Sequence, residues 1–132
     1  MLLFSVWKAS ITVSGNDAKN GAGIYLSPFY SNSPSLKLTD SKILNNKSTQ
    51  DGGGICVVKY RDNANVSFTP TNIEVSGNSS GRDGGGIWIQ TTKEVVISGS
   101  NINGNIAASS GGGIYANECS SITADNSEIN GN

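Results

Sequence analysis

A glycine-rich tag that ends in isoleucine occurs four times along the chain and constrains its fold more than any other feature. The copies read NGAGIY, DGGGIC, DGGGIW and SGGGIY. A second tag, aliphatic-x-x-Asn, precedes each copy at a nearly constant distance and occurs a fifth time at residues 129–132. Self-similarity with a period of 27–32 residues is the signature of a solenoid, in which each repeat stacks on the next.

Between the tags lie short apolar runs of period two, separated by turns rich in Gly, Asn, Ser and Asp. This pattern is typical of β-strands, and nothing in it resembles an amphipathic helix. Three such runs in each repeat predict an all-β chain folded as a right-handed parallel β-helix of the pectin-lyase type. We expect four to five coils of 27–32 residues, in one repeat domain that covers residues 1–132 and is a fragment of a longer solenoid.

Stacking of like on like predicts what lies inside the coils. The tag isoleucines are expected in one inward column, each preceded by a glycine of the sharp turn before its strand: Gly23 and Ile24, Gly54 and Ile55, Gly86 and Ile87, and Gly113 and Ile114. The asparagines of the second tag are expected to form a ladder, in which each side-chain amide donates to the next coil: Asn16, Asn46, Asn78, Asn105 and Asn132. Insertions are expected at residues 27–35 and 59–65.

Composition excludes several classes of function. The net charge is −1 without basic clusters, which argues against nucleic acid and anionic membranes as partners. Histidine is absent, so the commonest general base and zinc ligand are missing, and we expect no metal or cofactor. No apolar stretch is long enough for a membrane-spanning helix.

The best candidates for catalysis are Asp51 and Asp83, each of which directly precedes a glycine triplet. On adjacent coils they would lie about 5 Å apart, close to the carboxylate spacing of retaining glycosidases. Alternatively they are turn residues that cap backbone N–H groups, and the same column continues with Asn20 and Ser110, which do this without charge. The sequence therefore predicts no enzyme. A fragment of a pectin-lyase-fold polysaccharide lyase or glycoside hydrolase is the alternative, because the same solenoid carries such enzymes.

One outward column could contact a ligand. Tyr25, Trp88 and Tyr115 each follow a tag isoleucine, as does Cys56. A row of aromatic side chains can stack on sugar rings or contact a protein, although such rings also stack on each other merely as part of the fold.

The segment INGNIAASSGGGIYA at residues 102–116 resembles the repeat of the chlamydial polymorphic outer-membrane proteins, which pairs an FxxN motif with a GGAI motif. The asparagines of the second tag match the Asn of that repeat, and aliphatic residues stand in place of its Phe: Val13, Ile43, Val75, Ile102 and Ile129. The resemblance implies a surface-exposed structural or adhesive module of a larger adhesin or autotransporter passenger, without catalytic activity. It also implies an extracellular location, at the outer membrane or cell wall, and a host or cell-surface protein or glycan as partner.

The last Asn tag ends the chain inside a coil. Unpaired strand edges over an apolar core are a template for pairing with another chain, so end-to-end self-association is also expected.

Overall fold

A computed structural model describes residues 10–27, 35–59, 66–90 and 92–132 of the chain. These residues form seventeen β-strands and contain no helix. The insertions predicted at residues 27–35 and 59–65 lie almost wholly outside the described ranges.

The strands fall into repeating sets of four, each set forming one coil. Coil 1 contains β1 (Thr12–Ser14), β2 (Asp17–Ala18), β3 (Ile24–Leu26) and β4 (Ser35–Leu36). Coil 2 contains β5 (Lys42–Leu44), β6 (Lys47–Ser48), β7 (Ile55–Val57) and β8 (Val66–Phe68). Coil 3 contains β9 (Glu74–Ser76), β10 (Ser79–Ser80), β11 (Ile87–Gln90) and β12 (Thr92–Ser98). Coil 4 contains β13 (Asn101–Asn103), β14 (Ile106–Ala107), β15 (Ile114–Asn117) and β16 (Ser121–Asp125), and β17 (Glu128–Asn130) begins a fifth.

Equivalent strands of successive coils pair in parallel and build four sheets. Sheet A is β1-β5-β9-β13-β17, sheet B is β2-β6-β10-β14, sheet C is β3-β7-β11-β15 and sheet D is β4-β8-β12-β16. The register places like on like, so that Ile87 of sheet C pairs with Ile55 on one side and Ile114 on the other. The predicted parallel β-helix is therefore confirmed.

The number of strands in a coil differs from the expectation of three. The additional strands are those of sheet B, and each contains only the two residues that directly follow a tag asparagine. Two residues are too few to show alternation, and their inward positions hold small side chains, Ala18, Ser48, Ser80 and Ala107, instead of large aliphatic ones. Periodicity of apolar residues, on which the prediction depended, carries no signal for such a strand.

The core is a stack of inward aliphatic side chains that also contains Phe68. Ile55 and Ile87 are fully buried in the middle of the sheet C column, whereas Ile24 and Ile114 at its two ends are half-buried. Because no coil covers its own apolar face, burial depends on neighbours on both sides. The middle coils therefore hold most of the hydrophobic stabilisation.

One corner of every coil depends on left-handed backbone. The residue just before each tag asparagine has a positive φ, and it is glycine in four coils and asparagine in one, because these types adopt this conformation most readily: Gly15 (68°), Asn45 (54°), Gly77 (65°), Gly104 (62°) and Gly131 (61°). This corner turns the chain from sheet A into sheet B and aims the following asparagine inward.

We predict that Ile87→Ala destabilises the protein far more than Trp88→Ala. Ile87 is completely buried between two other isoleucines, and truncation of such a residue costs about 2–5 kcal/mol. Trp88 lies on the outer side of the same strand and is only half-buried. Chemical denaturation of both variants measures the difference. A larger loss for Trp88→Ala would mean that the two faces of sheet C are exchanged.

Candidate functional site

The five tag asparagines form a continuous hydrogen-bonded ladder along the inner corner between sheets A and B. The first four side-chain amides each donate to Oδ1 of the asparagine in the following coil. The distances are 3.0 Å from Asn16 to Asn46, 3.0 Å from Asn46 to Asn78, 2.9 Å from Asn78 to Asn105 and 3.0 Å from Asn105 to Asn132. The steps are 30, 32, 27 and 27 residues long. Coils of different length therefore bring their asparagines to the same corner of the solenoid.

Asn78 shows how completely such an amide is used. Its Oδ1 accepts from the backbone N–H of Asn46 at 2.9 Å and from the Asn46 amide at 3.0 Å. Its Nδ2 donates to the Ile43 carbonyl and to Asn105 Oδ1, both at 2.9 Å. A carboxamide has two N–H donors and two acceptor lone pairs, so nothing is left unpaired. The three middle members of the ladder are accordingly at most 1% exposed.

The last glycine of each tag packs directly on this ladder. A Cβ added at Gly54 would lie 3.1 Å from the Asn78 amide and 2.6 Å from the carbonyl oxygen of Gly86 in the next coil. A Cβ at Gly86 would meet the Asn105 amide at 3.0 Å and the Gly113 carbonyl at 2.6 Å. The two tags of the sequence are thus one structural unit, since the glycine leaves the room that the asparagine fills.

The aspartates before the glycine triplets form a second polar column. The backbone N–H of Asp51 donates to Asn20 Oδ1 at 3.1 Å, that of Asp83 to Asp51 Oδ1 at 3.3 Å, and that of Ser110 to Asp83 Oδ1 at 3.0 Å. The second oxygen of Asp51 lies 3.7 Å from Nη1 of Arg82. In each of these hydrogen bonds a side-chain oxygen caps a backbone N–H of the turn in the following coil, as a turn-capping role requires.

A third column, of serines, escaped the sequence analysis. Ser100 Oγ accepts from the backbone N–H of Ile73 at 3.1 Å and donates to the Ser98 carbonyl at 2.9 Å. Ser41 and Ser127 make equivalent bonds in their coils. Ile73 takes the place of a serine in coil 3, which interrupts the pattern. The signal available in the sequence was the type of residue before each serine. Asp40, Gly99 and Asn126 belong to the types that adopt a positive φ most readily, and all three do so.

The outer face of sheet C carries the aromatic column. Tyr25 is 52% exposed, and Trp88 and Tyr115 are half-buried, with ring centroids 6.3 Å apart and planes within 13° of parallel. Cys56 occupies the remaining position of the column but is only 1% exposed, and its Cβ lies against the backbone of the left-handed Gly52. Burial, with a smaller contribution from the charge of Asp51, raises the pKa of the Cys56 thiol from 9.0 to about 12. The aromatic face is therefore interrupted at coil 2 by an inert thiol.

Comparison with known families finds a match for parts of two coils. Residues 40–58 and 72–90 match the model of the Chlamydia polymorphic membrane protein repeat. Each matched segment runs from the corner before sheet A to the end of its sheet C strand and contains a ladder asparagine and a glycine triplet. The resemblance to these repeats is thereby confirmed. No curated protein and no solved structure matches the chain.

We predict that the cost of removing a ladder asparagine depends on its place in the ladder. Asn78→Ala leaves the buried backbone N–H and one amide N–H of Asn46 without their acceptor and takes a donor from the Ile43 carbonyl. Each buried group left unpaired costs about 1–3 kcal/mol. Asn16 is exposed at the end of the ladder, so Asn16→Ala loses about 1 kcal/mol. Equilibrium unfolding in denaturant compares the two variants. Equal losses would contradict the role of the ladder.

Proposed function

We propose that the chain is a non-catalytic, surface-exposed structural and adhesive module of a larger adhesin or autotransporter passenger. The observation that carries the proposal is the match of two coils to the polymorphic membrane protein repeat, in a fold where every described coil has the same architecture. Such a stack is rigid and grows by adding coils. It holds its outer faces at fixed distances from wherever the longer protein is anchored.

The proposed location is the outer membrane or cell surface, by analogy with the protein after which the repeat is named. Within the described ranges, no helix is long and apolar enough to cross a membrane. The proposed partners are host or cell-surface proteins or glycans, contacted by side chains on the outside of the coils.

The hydrogen bonding of the carboxylates supports a non-catalytic role. One oxygen of Asp51 and one of Asp83 accept a backbone N–H from the following coil, an arrangement that suits a cap better than a nucleophile. The described residues contain no group of three or more side chains able to hold a metal ion. The stacked aspartates are also what favours the alternative, a carbohydrate-active enzyme of the pectin-lyase fold.

Surface exposure is tested on intact cells that produce the full-length protein. Antibodies raised against the 132-residue chain are expected to label these cells before permeabilisation. A protein of known periplasmic location serves as the control, because it should be labelled only afterwards. Labelling of the chain only in permeabilised cells would contradict a surface role.

The absence of catalysis is tested with polygalacturonate, pectin and glucan. We predict that the chain releases no products from any of them, because Asp51 and Asp83 serve the turns. Reducing-end and unsaturated-product assays detect hydrolysis and elimination respectively. Depolymerisation by the wild type that disappears in Asp83→Asn would overturn this proposal and favour the enzyme.

A further inference from the structure

The outer face of sheet C differs in charge from the other three. Among the strands of the described residues, those of sheet C alone contain no Asp, Glu, Lys or Arg. The other sheets carry charged side chains within their strands: Lys42, Glu74 and Glu128 in sheet A, Asp17 and Lys47 in sheet B, and Glu94 and Asp125 in sheet D. Any ligand of sheet C is therefore recognised without ion pairs from its strands.

Aromatic side chains are concentrated on this same face. The described ranges contain four aromatic residues, and three of them, Tyr25, Trp88 and Tyr115, point outward from sheet C. The fourth, Phe68, is fully buried in the core. Because these rings point outward from a rigid sheet, they offer flat apolar surfaces to a ligand without removing any side chain from the core.

Two carboxamides lie next to the aromatic pair. Gln90 and Asn117 pair with each other in register, two positions after Trp88 and Tyr115, and so project from the same face. Both are half-buried. Their side chains make no hydrogen bond to another described residue, unlike the amides of the ladder. Each of the two rings therefore has a carboxamide beside it whose N–H donors and oxygen acceptor are available to a ligand.

We propose that the outer face of sheet C binds a neutral glycan. The apolar C–H faces of sugar rings would pack on Trp88 and Tyr115, and the sugar hydroxyls would exchange hydrogen bonds with Gln90 and Asn117. A ligand with many hydroxyls and no charge matches a face whose strands carry rings and amides but no charged side chain. A repeating chain of sugars also suits a face on which the ring and the amide of coil 3 recur in register in coil 4. This inference deepens the proposed adhesive function and rests on it.

Binding is measured through the fluorescence of Trp88. The chain has two tryptophans, so a Trp7→Phe variant reports Trp88 alone, and calorimetry on the unmodified chain gives an independent dissociation constant. The probes are neutral β-linked oligosaccharides of hexose and of N-acetylhexosamine, with oligogalacturonate as the acidic comparison. We expect saturable binding of a neutral probe at about 1 mM or tighter, and none of the acidic one.

Three variants locate the site. Gln90→Ala and Asn117→Ala are each expected to weaken binding about tenfold, the equivalent of one hydrogen bond, without changing the melting temperature. Lys42→Ala on sheet A is the matched control and should bind as the wild type does.

The proposal is overturned by no saturable signal with any neutral probe, by binding of the acidic probe alone, or by binding that both amide variants retain in full. A cell-surface protein that binds this face while the neutral probes do not would also overturn it. In each case surface labelling of intact cells still tests the proposed function separately.

Discussion

The hydrogen bond between stacked asparagines is the interaction on which the rest of the structure depends. A buried amide is costly unless each of its donors and acceptors is paired, and here the pairing needs an asparagine at the same corner of every coil. The preceding left-handed residue and the glycine that packs on the amide are both consequences of this requirement. The ladder therefore fixes how each coil is aligned on the next, although successive ladder asparagines are 27 to 32 residues apart.

A fixed interior leaves the outside free to differ from face to face. Sheet A presents an ion pair between Lys42 Nζ and Glu74 Oε2 at 3.0 Å, and the hydrogen bond from Lys42 is the main cause that holds the pKa of Glu74 below its usual range. The strands of sheet C present rings and amides and contain no charged residue. Since outward side chains do not enter the ladder or the core, such faces can specify partners while the scaffold stays the same. This separation suits a module that displays binding surface.

Repetition explains how much of the fold could be predicted from one sequence. The ladder asparagines, the tag isoleucines and the glycines recur at almost constant spacing, so their columns follow from stacking like on like. Sheet B was missed because two residues with small inward side chains show no periodicity, and the serine column was missed because Ile73 interrupts it. The burial of Cys56 was also invisible, because alternation predicts which side a residue faces and not what lies against it.

Hydrogen exchange of side-chain amides tests the central claim most directly. In an ¹⁵N-labelled chain, the Asn46, Asn78 and Asn105 amides should exchange with solvent about 100-fold or more slowly than that of the exposed Asn101, because their protons leave only when coils separate. Similar rates for the ladder and for Asn101 would show that the asparagines are not bonded from coil to coil, and the account would fail.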